Sequence, residues 1–476
     1  MMDVQMRNSE QAVKAGIGYT IGNFFVKGIV FLSLPLFSRI MTTEQFGVFN
    51  VFISYESILY VLVGLALHLS LQNANIDYKS QINKYISSVS LIYILNSLLF
   101  CVLATIANEW LSRVLDLDGK LLYVLIVYSF GTSIITLYNM KVSLNYEYKK
   151  YLFVTFAQSV GNILLSLVFI LFIFTEQRDL GRILGATLAV FLTSLWILYS
   201  FYKEEKPVFV KEYWVYGLVY CLPLVPHGIS QVLLAQFDRI MIRRIESDSA
   251  AGIYSLAANL KLPLAIITLS IITSWKTWFF REIEECNRTE IQKRAVQLLE
   301  LFAILTIGMM LVSREIVLIF GGRQYDSGKY VIIPMLFDAF ILFIYSVIVQ
   351  SEYYKKKTTY IMLGTMIASG VNIIANYIFI HKYGFIAAAY TTLFSYFIYL
   401  LMHLIISYRA VHFSIIPIKS LLFFLCLITA VCVICFILID NLFARWSIAF
   451  FTTGVLAIHL LKKSSFIKHK LNLRFF

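Results

Sequence analysis

The sequence predicts an all-α polytopic membrane protein of about fourteen transmembrane helices, and three observations carry that prediction. Of 476 residues, 59% are hydrophobic and only 14% charged, whereas soluble domains carry about 45–50% apolar and roughly 25% charged residues. At roughly 20 residues per crossing, the hydrophobic fraction is worth about fourteen helices. The apolar residues are also gathered into runs of bilayer length bounded by charge clusters.

The first run, 15–38, follows a polar amphipathic leader ending at Lys14 and lacks a small-residue cleavage signature, so a retained helix is expected and not a signal peptide. Runs at 46–70, 85–108, 121–144, 152–175 and 180–201 complete a first group of six. A seventh at 213–235 opens a second group, continued by 250–274, 296–313, 331–350, 358–380 and 384–408. The run 296–313 is the weakest, because Ser313, Arg314 and Glu315 interrupt it before it resumes to Phe320. Runs at 417–439 and 444–461 end the series. Pro35 in the first span, and Pro223 and Pro226 in the seventh, remove backbone donors and should kink the opening helices of both groups.

The net charge of +13 is mostly a topological signal. With the N-terminus in the cytoplasm, roughly two Lys or Arg fall in inside segments for each one outside, which places both termini inside. The longest interruption, Trp275 to Ala295, is about twenty residues and is expected in the cytoplasm, leaving no room for a catalytic ectodomain.

An internal repeat runs through the chain. Ser38-Arg39-Ile40-Met41 is matched by Asp238-Arg239-Ile240-Met241 at an offset of 200, and Gly47 by Gly252 at 205. Tyr148-Lys149-Lys150 is matched by Tyr354-Lys355-Lys356, Asn162-Ile163 by Asn372-Ile373, and Gly181 by Gly384. Ordered matches at similar offsets predict two six-helix lobes, 1–205 and 206–410, followed by 411–476 with two additional helices and a basic cytoplasmic tail. Six is even, so the lobes are parallel repeats about an axis along the membrane normal, with a transport path expected between them.

The segments LPLFSRIMTTEQFGVFN, PLVPHGISQVLLAQFDRIMI, AAGIYSLAANL and IFGGRQYDSGKY resemble the polysaccharide-exporting branch of the MOP flippase superfamily, in particular O-antigen and capsule repeat-unit flippases of the Wzx-like type. The likeness spans the whole length. It implies a non-enzymatic transporter of the bacterial cytoplasmic (inner) membrane. Such a protein moves an undecaprenyl-diphosphate-linked oligosaccharide to the outer leaflet by alternating access. It also implies a coupling ion, H+ or Na+, as the one cofactor to look for. Polysaccharide-assembly proteins (a polymerase, a chain-length regulator) and membrane lipid are the partners implied; nucleic acid is not.

A charge at the bilayer centre costs at least about 2.5–3.5 kcal/mol, so each intramembrane charge needs a reason. Lys27 lies near the midplane of the first span by helix rise. Lys261 is similarly deep in the eighth, and Glu56 occupies in the second span the position that Lys261 occupies by the repeat. In the functional reading, Lys27 and Lys261 bind the carrier diphosphate, whose charge needs compensation in low dielectric, while Arg39 and Arg239 attract it at the outer mouth. In the structural reading, Glu56 pairs with Lys27 or Lys261 to hold helices together, and the two arginines snorkel, with Asp238 a local partner. Asp338 in the tenth span is either a protonatable coupling site or a lysine's partner. His68 and His227, within apolar spans, either relay protons or are packed and hydrogen-bonded. The aromatic load, 39 Phe and 30 Tyr, offers stacking faces for sugars as well as lipid-facing and interfacial side chains.

Other signals count for little. The six cysteines form no disulfide framework, and Cys432 and Cys435, though spaced C-x-x-C, sit in an aliphatic run without further ligands. Asp116 and Asp118 form a D-x-D on the predicted outside, away from nucleotide sugars. There is no Walker-type phosphate loop. A multidrug or small-solute exporter of the same superfamily would favour twelve helices and an acidic cavity. A membrane glycosyltransferase or polymerase would need a large hydrophilic loop with catalytic acids.

Overall fold

A computed structural model of the chain describes residues 2–451. All its regular elements are helical: α1 (Met2–Ile40), α2 (Thr43–Gly64), α3 (Leu71–Asp77), α4 (Ile82–Ile106), α5 (Asn108–Leu115), α6 (Gly119–Leu144), α7 (Tyr148–Val168), α8 (Arg178–Glu204), α9 (Lys211–Cys221) and α10 (Val225–Ile245). They continue as α11 (Asp248–Leu260), α12 (Leu262–Glu284), α13 (Arg288–Leu311), α14 (Ser313–Gly321), α15 (Lys329–Ile348), α16 (Gln350–Tyr354), α17 (Thr358–Tyr383), α18 (Ile386–Val411) and α19 (Ile418–Ile437). Among the described residues, thirteen stretches are long and apolar enough to cross a membrane. They fall on the first thirteen expected spans. Of the expected fourteenth, 444–461, only the part within the helix Leu442–Phe451 is described, and the basic tail lies outside the described residues.

Local chemistry accounts for the helix limits. Thr42 accepts from the backbone N–H of Gln45 at 3.2 Å while Gln45 Oε1 accepts from the Thr42 N–H at 3.2 Å, a reciprocal box that starts α2. At the other end Leu65 and Ala66 both take positive φ, 47° and 53°, so α2 stops at Gly64 and not at residue 70 as expected. The twenty-residue interruption expected between Trp275 and Ala295 shrinks to three residues, because α12 and α13 run past the apolar segments into polar turns. Pro223 stands in a 3-10 turn that separates α9 from α10, whereas Pro35 sits inside an unbroken α1.

The chain forms two compact units, one of residues 1–259 and 358–399, the other of residues 260–357 and from 400 onward. In the first, α2, α6 and α8 supply much of the core, and the stretch joining the expected lobes is held to α4: Trp214 Nε1 donates to the Ser88 carbonyl at 2.9 Å, and Ser88 Oγ accepts from the Val210 N–H at 3.2 Å. In the second, α15 is the centre, and most of its side chains are buried. Phe302 of α13 stacks on Phe343 of α15 at 4.0 Å between centroids, an aromatic contact beyond simple area burial.

Candidate functional site

In the first unit, Lys27 lies on an exposed face of α1 and has no ion-pair partner among the described residues. Glu56 is buried in α2 with its Oε1 unpaired, and Thr132 is its polar neighbour. One repeat-related pair closes against itself in this unit. A Cβ built on Gly47 would lie 1.9 Å from the Asp248 carbonyl oxygen, and one on Gly252 would lie 2.0 Å from that of Thr43. Only glycine permits this approach of the starts of α2 and α11. Thr43 Oγ1 meets Ser249 Oγ at 2.7 Å beside it, and Asn259 Nδ2 donates to Asn50 Oδ1 at 3.3 Å further along.

In the second unit, Lys261 interrupts the eighth span: it stands between α11 and α12 as the N-cap of α12, with Pro263 in the first turn. Its ammonium donates to both carboxylate oxygens of Asp338 on α15, at 2.8 and 3.0 Å. Asp338 is thus a lysine's partner, one of the two roles open to it from sequence. The Asp338 side chain is 1% exposed and that of Lys261 28%, so the acid is fully enclosed while the amine keeps an open face. The positive end of α12 adds to the ammonium there, a combination suited to an anion.

A buried polar cluster in the first unit was not foreseen. Asp238 of α10, expected only as a local partner of Arg239, accepts from Asn376 Nδ2 at 2.7 Å, from Thr392 Oγ1 at 2.7 Å and from the Tyr254 hydroxyl. Asn376 also donates to Asn372 Oδ1 at 3.1 Å, and Asn372 donates to Thr392 Oγ1 at 3.0 Å. The repeat relates Asn372 and Asn376 to Asn162 and Ser166, at an offset of 210. Those two oxygens receive the Arg182 guanidinium, at 2.7 and 2.6 Å, with Phe37 3.7 Å from its carbon. One oxygen set is filled by a tethered cation. Its counterpart has instead a carboxylate. The Asn162/Asn372 match was the signal that pointed here, but an asparagine in an apolar helix does not reveal its partners.

The arginine pair expected at an outer mouth is split by environment: Arg39 is exposed, whereas Arg239 is buried and its Nη1 donates to Gln236 Oε1. His68 lies outside the helix in which it was expected, in the 3-10 turn Leu67–Ser70, against the ring of Tyr60. Burial pushes its imidazole down to about 4, so the ring is neutral near pH 7. His227 is half-buried in α10 with Nδ1 unpaired. Two more pairings between helices escaped the sequence. His403 Nδ1 lies 2.8 Å from Glu352 Oε1, both side chains fully buried in the second unit. Arg445 is 2% exposed, and its guanidinium grips Glu315 through two bonds of 2.7 Å. Among the described residues no group of three or more His, Cys, Asp or Glu is arranged to hold a metal ion.

The fold is shared with known transporters. The lipid II flippase MurJ in an inward closed conformation superposes with a TM-score of 0.75 over 94% of this chain and 99% of that one, at 16% identity. An inward-facing multidrug resistance MATE family transporter of the MOP superfamily gives 0.60 over 83% and 94%, at 14% identity. Among sequence relatives, "Lsg locus putative protein 1" of Haemophilus influenzae is 22% identical over 359 residues, 72% of this chain and 85% of its own length. An uncharacterized membrane protein of the same organism is 22% identical over 369 residues, 74% and 87% of the two chains. With residues 12–282 matching its family pattern on this fold, the chain belongs to the polysaccharide biosynthesis protein family.

Proposed function

We propose that this protein is a flippase that carries an undecaprenyl-diphosphate-linked oligosaccharide, an O-antigen or capsule repeat unit, from the cytoplasmic to the outer leaflet by alternating access. The observation that carries the reading is Lys261, an ammonium at a helix break, backed by a helix N-terminus and held by an enclosed carboxylate while 28% of its side chain stays open. A diphosphate entering low dielectric needs such a cation, and Lys27, without a carboxylate partner, supplies a second. The glycine contact between α2 and α11 supports alternation, since a path between these helices is shut at that end and opens only if they part.

A coupling cation belongs to the same proposal. The Asp238 cluster combines one carboxylate with neutral amides and hydroxyls, hard oxygen donors that suit a proton or an alkali cation better than a transition metal. The internal repeat supports the choice, because the Arg182 guanidinium occupies the equivalent oxygen set. Asp238, Asn372, Asn376 and Thr392 would hold the ion.

The test is replacement of Lys27 and Lys261 by alanine in a strain lacking the chromosomal copy, with lipid-linked intermediates analysed beside surface polysaccharide. The reading requires complete repeat units to accumulate on the inner leaflet while surface polymer is lost. Incomplete units would favour a transferase, and unchanged polymer in both variants removes the diphosphate role.

A further inference from the structure

Two cavities in the first unit meet at the start of α7 and have no part in the transport reading. One, of about 420 Å³, lies among the ends of α6 and α8 and the start of α7, lined by Tyr138, Phe153 and Trp196 with the charged groups Lys141, Glu147, Lys150 and Glu204 at its mouth. The other, of about 570 Å³, lies between α1 and α7, lined by Ile21, Phe25, Leu152 and Phe156. Lys149 and Phe153 line both. Four residues apart on one helix, they stand one above the other and form the wall between the cavities.

The charges at the mouth are unequal. Lys141 is paired with Glu204 at 2.5 Å and Lys150 with Glu147 at 2.7 Å, so both acids are taken. Lys149 is exposed and has no carboxylate partner among the described residues. Below it the walls are apolar and open: Phe153 is 65% exposed, Phe156 49%, Phe25 66% and Trp196 48%. The second cavity forms over a glycine face of α1, where a Cβ on Gly22 would lie 1.8 Å from Leu152 Cδ2, so the helices touch there and leave a groove beside the contact.

We infer that this is a binding site for one anionic glycerophospholipid. Its phosphate would pair with the Lys149 ammonium, and its two acyl chains would lie one in each cavity, divided by the Phe153 ring. The shape decides the ligand class. Two apolar grooves diverging from one uncompensated cation match a diacyl lipid, which has two chains leaving one phosphate, and not a prenyl carrier, which has one chain. The lysines 141, 149, 150 and 203 at this end of the spans place the site in the leaflet that the positive-inside rule assigns to the cytoplasm, where anionic lipid gives about 1 kcal/mol per basic residue near the surface. A bound lipid would pin α1 to α7.

The test uses the full-length protein in nanodiscs of phosphatidylcholine doped with equal amounts of phosphatidylglycerol and undecaprenyl phosphate, followed by native mass spectrometry of released protein. Wild type should retain one phosphatidylglycerol in preference to phosphatidylcholine, Lys149→Glu should lose it at least fivefold, and Lys149→Arg should keep it. Phe153→Ala should weaken retention of both lipids alike. A Lys293→Ala variant, at an exposed lysine on α13, should behave as wild type. Equal retention by wild type and Lys149→Glu with an unchanged melting transition would overturn the inference, as would preferential retention of undecaprenyl phosphate over phosphatidylglycerol. If Lys149→Glu melts early, the comparison of Lys149→Ala with Lys149→Arg decides by the same criterion. None of these readouts depends on flipping, so a failed flippase reading would leave the lipid site standing and the reverse.

Discussion

Gly47 and Gly252, 205 residues apart and equivalent by the internal repeat, face each other across α2 and α11 at a distance where neither can carry a Cβ. Thr43 and Ser249 beside them bring their hydroxyls to 2.7 Å. A Thr43→Cys/Ser249→Cys pair would have its sulfurs within bonding reach. We expect it to crosslink under oxidation, to stop export, and to regain export on reduction. Crosslinking without loss of export would mean that this contact does not open during transport.

Lys261 and Asp338 allow stability and function to be separated. Lys261→Ala leaves an enclosed carboxylate without its cation, a loss of about 3–5 kcal/mol for a buried pair. Removing both charges, as Lys261→Met/Asp338→Leu, should restore most of the melting temperature because no charge is left uncompensated. Export should stay abolished in that double variant. Export at the wild-type level would show that the pair only holds α12 to α15.

Asp238→Asn should test the cation. Sodium that binds only the folded form stabilises by RT ln(1 + [L]/Kd). Melting of the wild type at constant ionic strength should rise when choline is replaced by Na+, and Asp238→Asn should flatten that response. A proton as the coupling ion would show instead as a rise in melting on acidification that Asp238→Asn removes, with no effect of Na+.

The Glu315–Arg445 pair carries a pH dependence. Burial by itself would raise the Glu315 carboxyl, but the bonds from Arg445 outweigh it and hold the group below its ordinary value. The unfolded chain then binds more protons than the folded one as pH falls towards and through that lowered value. The pair's contribution should be complete above about pH 5, where the unfolded carboxyl (about 4.3) is ionised, and should fade as acidity increases. Asp440, held low chiefly by its bond from Lys329, adds in the same direction. In melting curves, Arg445→Ala should remove part of the acid-side slope and lower stability at neutral pH. An unchanged slope would assign the acid sensitivity to other carboxyls.

His68→Asn should leave the pH profile of export unchanged between about pH 6 and 8, because an imidazole pushed down to about 4 does not titrate there. A shift of that profile would show that the histidine is hydrated in the working cycle.

Much of the fold was legible because hydropathy and helix rise are local properties. Thirteen of the expected spans lie on helices of membrane length. The end of α2 was not legible, since the left-handed backbone falls on Leu65 and Ala66, residues that rarely adopt it, while Gly64 just before them lies in the helix and reads as one more small residue in an apolar run. The depth of Lys261 and Asp338 could be counted along their helices, but their bond could not. Asp238 looked like the neighbour of Arg239, yet its side chain turns to α17 and α18, more than 130 residues away.

The sequence by itself determined that this is a many-helix membrane protein, and it marked out the few charges that fall in or beside its apolar runs. Tertiary structure decided how those charges are satisfied: Asp338 by Lys261, Asp238 by amides and hydroxyls, Glu315 by Arg445, with Lys27 left open. The reason is energetic. Apolar length is rewarded residue by residue along one helix, whereas the cost of a buried charge is offset only by a partner that packing brings from another.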